Sequence, residues 1–131
     1  MRRLAGLFKA LSDETRLQML GLLIGGKELC VCDFIKVLKI TQSKASRHLR
    51  HLTNAGLLDD RRDSVWVYYR IVDNPGKVHA KIIEILPSII KERMPPELFD
   101  HLADWKKSRE RSEGSCKDIP AKSGTKVNKG R

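Results

Sequence analysis

Long apolar runs and cysteines are scarce in this sequence of 131 residues. No stretch approaches the ~20 consecutive apolar residues that cross a bilayer, and residues 4–11 are too short and interrupted for a signal-peptide core. We therefore expect a soluble, cytoplasmic protein without membrane contact. Three cysteines exclude the disulfide framework of a mini-protein. A chain of this length buries roughly two thirds of its unfolded surface, so one domain with a hydrophobic core is expected.

Acidic residues are also few, 16 against 26 Lys and Arg, which gives a formal charge of +10. A basic surplus of this size favours a polyanionic partner, because bound phosphates release condensed counterions. Residues 106–131 carry nine basic and three acidic residues. Beyond Ser112 this segment has almost no large apolar residue, so it cannot repay its ordering entropy. We predict a folded domain over residues 1–105 and a basic, disordered tail over residues 106–131.

Signals of catalysis are missing as well. The sequence has no Gly-rich phosphate cradle, no nucleophile with an adjacent base, and no alternating βαβ pattern. We therefore predict that the protein is not an enzyme.

The first half of the chain has the apolar spacing of helices. Leu4, Leu7, Phe8 and Leu11 form one stripe, and Ser12 is the expected N-cap of a second helix that ends at Gly25-Gly26. Residues 28–38 are amphipathic and predict a third helix.

Residues 42–55 predict a fourth helix, with Thr41 as N-cap and Gly56 as the left-handed residue after its end. Ala45, Leu49 and Leu52 fall on one inward stripe, while the opposite face is polar and basic. Two short helices with a tight turn, the second with a basic outer face, are typical of a helix-turn-helix that enters the major groove. A solvated helix in a small bundle is the alternative.

A β-hairpin should follow, because residues 65–71 are β-branched and aromatic and residues 60–64 are turn-rich. Such a hairpin after a recognition helix is a wing, with Arg61 and Arg62 at its tip near flanking DNA. The expected fold is therefore mainly α with a β-hairpin wing. From the two DNA-reading elements we predict contacts to bases by Gln42, Ser43, Ser46 and Arg47, and to phosphates by Lys44, His48, Arg50, Arg62 and Arg70.

After the wing, Asn74-Pro75 should start a helix whose apolar face is wider than one small core needs, with a kink at Pro87. Pro95-Pro96 separates it from a last helix over residues 97–109. The excess apolar face predicts a homodimer, which would present two recognition helices to double-stranded operator DNA with a pseudo-palindromic site.

Candidate metal ligands lie in residues 28–33, where Cys30 and Cys32 are two positions apart. The spacing alone is a weak signal, because buried cysteine is a common small core residue. On an ideal helix, residues two apart diverge by ~200°, so both thiolates reach one ion only if the backbone there distorts. At the start of the helix-turn-helix, such a distortion would oppose DNA binding, and the two equilibria would be linked.

The ordered motifs resemble the ArsR/SmtB family of metal-responsive winged-helix repressors. They are residues 8–17, 28–33, 42–49, 56–58 and 66–70, within a likeness that covers about residues 1–90. The resemblance implies a dimeric repressor that leaves its operator when a soft ion binds. Leu-Cys-Val-Cys-Asp at residues 29–33 is typical of the arsenite and antimonite repressors, and the cadmium and lead sensors share it.

The sequence departs from both patterns. Ile35 stands where the arsenite type often has a third cysteine, only three residues precede Leu4 where the cadmium type has a cysteine-bearing arm, and the ligand sets of the zinc sensors are missing. Cys116 remains as a third thiolate. We hypothesise a three-sulfur site for As(III) or Sb(III) from Cys30, Cys32 and Cys116, within or between protomers, against an idle tail thiol at Cys116.

Three alternatives stay open: a cadmium- or lead-responsive repressor, a thiol redox switch or dithiol oxidoreductase, and a constitutive architectural DNA-binding protein.

Overall fold

The computed structural model describes residues 1–112, with side chains through residue 110. Six helices and three short strands follow one another in this part of the chain. In chain order they are α1 (Arg2–Ala10), α2 (Glu14–Leu23), β1 (Leu29–Cys30), α3 (Val31–Leu38), α4 (Gln42–Asn54), β2 (Leu58–Asp63), β3 (Trp66–Ile71), α5 (Lys77–Ile90) and α6 (Pro96–Ser112), with a 3₁₀ turn at Lys91–Arg93 before α6.

The helix-turn-helix consists of α3 and α4. A three-residue turn joins them and begins at Lys39, whose φ of 57° lies in the left-handed region. Thr41 caps α4, since its hydroxyl accepts a hydrogen bond from the Lys44 amide at 3.1 Å. Gly56 follows the helix with a φ of +84°. The predicted cap and end of this helix are confirmed.

The three strands form one antiparallel sheet in the order β1-β3-β2. Strands β2 and β3 make the predicted hairpin, in register from Leu58↔Ile71 to Asp63↔Trp66. The tip is therefore Ser64 and Val65, not residues 60–64, because the ladder continues to the last residue before a two-residue turn. Arg61 and Arg62 consequently lie within β2 and not at the tip.

Strand β1 is an element that apolar spacing missed. Residues 28–38 were expected to be one helix, but Leu29 and Cys30 pair with Tyr69 and Tyr68 of β3. The helix begins only at Val31. Cys30 is thus paired with the wing sheet through its backbone, and the next residue, Val31, is the first of the helix-turn-helix.

The hydrophobic core lies between α2, α3, α4 and the inner faces of α5 and α6. The predicted inward residues of α4, Ala45, Leu49 and Leu52, are fully buried, which confirms them as its core face. The N-cap of α2 is Asp13 and not the predicted Ser12, because the Asp13 carboxylate accepts a hydrogen bond from the Arg16 amide at 3.1 Å.

The last helix, α6, continues past residue 105, where the sequence placed the start of the tail. Residues 106–112 are helical, and Arg109 contacts α3. Within residues 1–112, the helices are all too short or too polar to cross a membrane. The tail from residue 113 onward, with Cys116, lies outside the described residues.

Candidate thiol site and nucleic-acid interface

Cys30 and Cys32 stand at the beginning of α3. Cys30 is the N-cap, with extended backbone angles of φ −91° and ψ 171°, and Cys32 lies in the first helical turn. Their Cα atoms are 5.4 Å apart, and their sulfurs are joined as a disulfide. Both side chains are buried. The chain therefore brings two sulfurs together at the N-terminal end of α3, where the backbone N–H groups of the first turn have no partners within the helix.

This geometry corrects the expectation that helix distortion is needed. The ~200° divergence applies to two residues that are both inside a helix. Because Cys30 precedes the helix and is extended, its side chain turns back toward Cys32. The sulfurs converge while α3 keeps regular geometry from Val31 onward.

Asp33 is the third member of this cluster and is fully buried. One of its carboxylate oxygens and the two sulfurs all lie within 4.8 Å of one another. One oxygen, Oδ2, accepts a hydrogen bond from the Cys30 amide at 2.8 Å. The other, Oδ1, accepts from Trp105 Nε1 at 2.7 Å and from Arg109 Nη1 at 2.5 Å. Both oxygens are thus engaged within the protein.

Aromatic rings enclose the sulfurs. Trp66 and Tyr68 of β3 and Trp105 of α6 pack against the two cysteines, and Arg109 Nη1 lies 3.6 Å from Cys30 Sγ. A buried pair of sulfurs with a carboxylate that is already hydrogen-bonded offers a soft ion two ligands from the described residues. The third cysteine of the sequence, Cys116, lies outside the described residues.

The outer face of α4 is polar, as predicted. Ser43, Lys44, Arg47 and Arg50 are exposed, and Gln42 and Ser46 are half-buried. The exposed charged residues on this face are basic, so the helix presents donors and positive charge in the arrangement that a major-groove helix requires.

His48 differs from its neighbours on α4. It is 8 % exposed, and its Nδ1 lies 3.0 Å from Arg16 Nη1. Because arginine can only donate, this nitrogen must be the acceptor, which requires the neutral imidazole. Burial lowers the pKa of His48 below its ordinary value of 6.5, and Arg16, Lys44 and Arg47 lower it further while Asp13 opposes them. The prediction that His48 faces phosphate does not fit this environment.

On the wing, the two arginines of β2 lie in different surroundings. Arg61 forms a two-pronged ion pair with Glu28, at 2.8 and 2.9 Å, and its guanidinium lies 4.9 Å from the Tyr68 ring centroid. The hydrogen bond from Arg61 lowers the pKa of Glu28. Arg62 is exposed. Arg70, also assigned to phosphate, is half-buried and lies 3.0 Å from Asp73.

Large apolar side chains are exposed on two helices, α5 and α1. Val78, Ile85 and Ile89 repeat along one face of α5 and are each about half exposed. Phe8 and Leu4, one turn apart on α1, are exposed as well. Such a stripe is wider than the core of one chain uses.

Comparison with known proteins identifies the family to which the chain belongs. Residues 13–60 match the family model described as "Bacterial regulatory protein, arsR family". The "Arsenical resistance operon repressor" of Escherichia coli K12 is 49% identical over 78 residues, which are 60% of this chain and 67% of that protein. This chain belongs to the arsR family. The resemblance drawn from the motifs is confirmed.

Other relatives are named as regulators of arsenic or cadmium resistance. "Arsenic resistance transcriptional regulator ArsR1" of Pseudomonas putida is 50% identical over 64 residues, 49% of this chain and 50% of that protein. The match therefore spans about half the length of that relative. A "Cadmium resistance transcriptional regulatory protein CadC homolog" of Staphylococcus aureus is 41% identical over 73 residues, 56% of this chain and 60% of that protein.

Similar solved structures confirm the winged helix-turn-helix. The homodimeric winged helix-turn-helix DNA-binding domain Mb0332 of Mycobacterium bovis is 30% identical with a TM-score of 0.57, covering 72% of this chain and 83% of that one. The "AntR antimony-specific transcriptional repressor" is 29% identical with a TM-score of 0.53, covering 69% and 78%.

Sequence reasoning found the two cysteines but missed the residues around them. Asp33 was noted only as part of a motif, and Trp105 only as a core residue. Arg109 was predicted as the last residue of the final helix and counted with the basic tail, and its contact with Asp33, 76 positions away, was not foreseen. The inward-facing positions of α6 repeat every three or four residues, and residue 109 falls on the same face as Trp105. Extending this spacing is the sequence signal that could have placed Arg109 against the domain.

Proposed function

We propose that the protein is a homodimeric repressor that binds double-stranded operator DNA in the cytoplasm and leaves it when As(III) or Sb(III) binds cysteine thiolates. It is not an enzyme in this proposal. The observation that supports it is the convergence of two buried sulfurs at the start of α3, the first helix of the helix-turn-helix. The names of the relatives support the choice of ion.

For DNA we propose that α4 enters the major groove, with Gln42, Ser43, Ser46 and Arg47 toward base edges. Lys44, Arg50, Arg62 and Arg70 are proposed to contact phosphates, Arg70 by exchanging its ion pair with Asp73. His48 is not among these contacts, because it is bound to Arg16 on the inner side of α4.

The apolar stripes of α5 and α1 are the proposed dimer surface, because they leave large side chains exposed in a single chain.

For the inducer we propose Cys30, Cys32 and Cys116 as ligands. Arsenite, As(OH)3, would exchange its three hydroxides for three cysteine thiols, and each thiol proton would leave with one hydroxide as water, so that each ligand is bound as the thiolate. The described donors fit a soft trigonal ion in part, since they provide two sulfurs while both Asp33 oxygens are occupied. Arg109 touches Cys30, α6 ends at Ser112, and four extended residues span at most about 14 Å. This short separation along the chain supports Cys116 of the same protomer as the proposed third ligand.

Two other functions have an observation in their favour. Cadmium or lead would also suit sulfur ligands, and a cadmium-resistance relative matches over 56% of this chain. Oxidation would convert the two thiols into the Cys30–Cys32 disulfide, with peroxide reduced to two waters.

One experiment separates these functions. Binding of the full chain to operator DNA is measured with arsenite, antimonite, cadmium and zinc under reducing conditions, and with peroxide in their absence. We expect release by arsenite and antimonite at the lowest concentrations. Release by cadmium alone, or by peroxide alone, would replace the proposal with the corresponding alternative, and no release by any agent would identify a constitutive DNA-binding protein.

The third ligand is tested with mixed dimers. One protomer carries Cys30→Ser and Cys32→Ser, and its partner carries Cys116→Ser. A site within one protomer predicts a dimer that binds DNA and ignores arsenite, whereas a site between protomers restores one arsenite per dimer. A Cys116→Ser homodimer with the arsenite response of the unaltered protein would remove Cys116 from the site.

A further inference from the structure

Helix α6 closes over the beginning of α3. Trp105 packs against the cysteine pair, and Lys36 of α3 lies with its Nζ 5.4 Å from the Trp105 ring centroid. Nearer the start of α6, Lys27 Nζ lies 5.7 Å from the Phe99 ring centroid. Cation–π contacts from Lys27, which precedes the cysteines, and from Lys36, which follows them, therefore hold α6 against this part of the chain.

Asp33 connects this helix to the thiol backbone. Its Oδ2 fixes the Cys30 amide, and its Oδ1 is held by the indole of Trp105 and the guanidinium of Arg109. The carboxylate has no exposed surface, whereas the Arg109 side chain is 24% exposed. A buried carboxylate needs such partners, because losing one leaves an incompletely compensated charge. The position of the Cys30 backbone thus depends on two side chains of α6.

Arg109 also lies beside the thiols themselves. The nitrogen that donates to Asp33 is 3.6 Å from Cys30 Sγ. A ligand on this sulfur therefore meets the guanidinium that anchors α6.

We propose that α6 is a latch on the thiol site and that Trp105 and Arg109 are positioning residues for the inducer. They hold Asp33, Asp33 holds the Cys30 amide, and this backbone brings the two sulfurs together. The inference rests on the proposed function, because it names residues that tune the same site without supplying a sulfur. Removing a group that orients a metal ligand in this way typically weakens metal affinity about 10–100-fold.

The test compares Arg109→Gln with Lys107→Gln in the full chain. Both variants remove one positive charge from α6, but Lys107 is exposed. Arsenite is titrated under reducing conditions and followed by sulfur-to-arsenic absorption in the near ultraviolet. We expect arsenite affinity about 10-fold or more weaker for Arg109→Gln, unchanged affinity for Lys107→Gln, and partial recovery for Arg109→Lys, which keeps the charge but not the planar guanidinium. Trp105→Phe, which keeps the ring and loses the N–H donor, should weaken affinity in the same direction.

A second readout does not depend on arsenite. In a Trp66→Phe background, Trp105 is the remaining tryptophan of the two in the sequence, so its fluorescence reports on α6. We expect Arg109→Gln to shift this emission and to speed hydrogen exchange in residues 96–112, and Lys107→Gln to do neither.

The outcomes separate the two proposals. If arsenite does not bind the unaltered protein, the proposed function is wrong, whatever the fluorescence shows. If arsenite binds the unaltered protein and Arg109→Gln with equal affinity, the latch is wrong and the proposed function stands. Equal weakening by Arg109→Gln and Lys107→Gln would reduce the effect to net charge and would likewise overturn the latch.

Discussion

Two single residues of the helix-turn-helix take positions that their sequence neighbours do not reveal. Cys30 is extended where apolar spacing indicated helix, because its backbone pairs with Tyr68 of the wing. His48 lies in a run of basic and polar residues, yet it is buried against Arg16. In both cases the deciding partner is more than thirty positions away, so local patterning could not identify it.

The environment of His48 predicts a pH dependence of stability. Its pKa is lowered in the folded protein, mainly by burial. The unfolded chain therefore binds more protons once the pH falls below the ordinary value of 6.5, and folding stability declines from there down to the lower pKa of the folded state. His48→Gln, which can still accept from Arg16 but does not titrate, should lose less stability between pH 7 and pH 5.

Thermal unfolding at several pH values measures this effect. The pKa of His51 is also lowered by burial, so His51→Gln serves as a comparison and part of the slope should persist in each single variant. Identical pH profiles for His48→Gln and the unaltered protein would show that His48 does not carry the dependence.

Among the elements, those with local signals were predicted well. The recognition helix α4 follows from its apolar spacing, its threonine cap and its terminal glycine, and the β2–β3 hairpin from its β-branched and aromatic residues. Strand β1 did not follow, since a two-residue strand has no periodicity and forms through pairing with Tyr68 and Tyr69. The last helix was predicted over residues 97–109 but continues to Ser112, in a stretch that was also interpreted as basic tail.

The wing makes a prediction of its own. Arg62 is exposed, whereas Arg61 of the same strand is bound to Glu28. Replacing a residue that contacts phosphate weakens DNA binding regardless of sequence and reduces the dependence of log K on log salt by roughly one unit. We expect this for Arg62→Ala in operator-binding titrations at several salt concentrations, with Arg3→Ala on α1 as an exposed control. An unchanged salt dependence would exclude Arg62 from the interface.

At the scale of the whole molecule, the exposed apolar residues of α5 predict assembly. Ile85→Glu places a charge in the stripe that we assign to the dimer, and an unpaired charge in an apolar interface is strongly unfavourable. We expect a monomer by analytical ultracentrifugation and loss of tight binding to a two-half-site operator. Val65→Glu, which adds the same charge at the exposed wing tip, should leave the oligomeric state unchanged. A dimeric Ile85→Glu protein would move the interface away from this face.

The two-residue strand β1 has a consequence for how much DNA affinity a change at the thiol site would cost. Through Cys30 it is continuous with α3 on one side and hydrogen-bonded to the wing strand β3 on the other. A change at this residue therefore reaches the groove-reading helix and the flanking hairpin together. Free energies add, so two contacts that each weaken about tenfold reduce affinity roughly a hundredfold in each half of a dimer. A change confined to one cysteine would thus lower DNA affinity through two elements of each protomer at once.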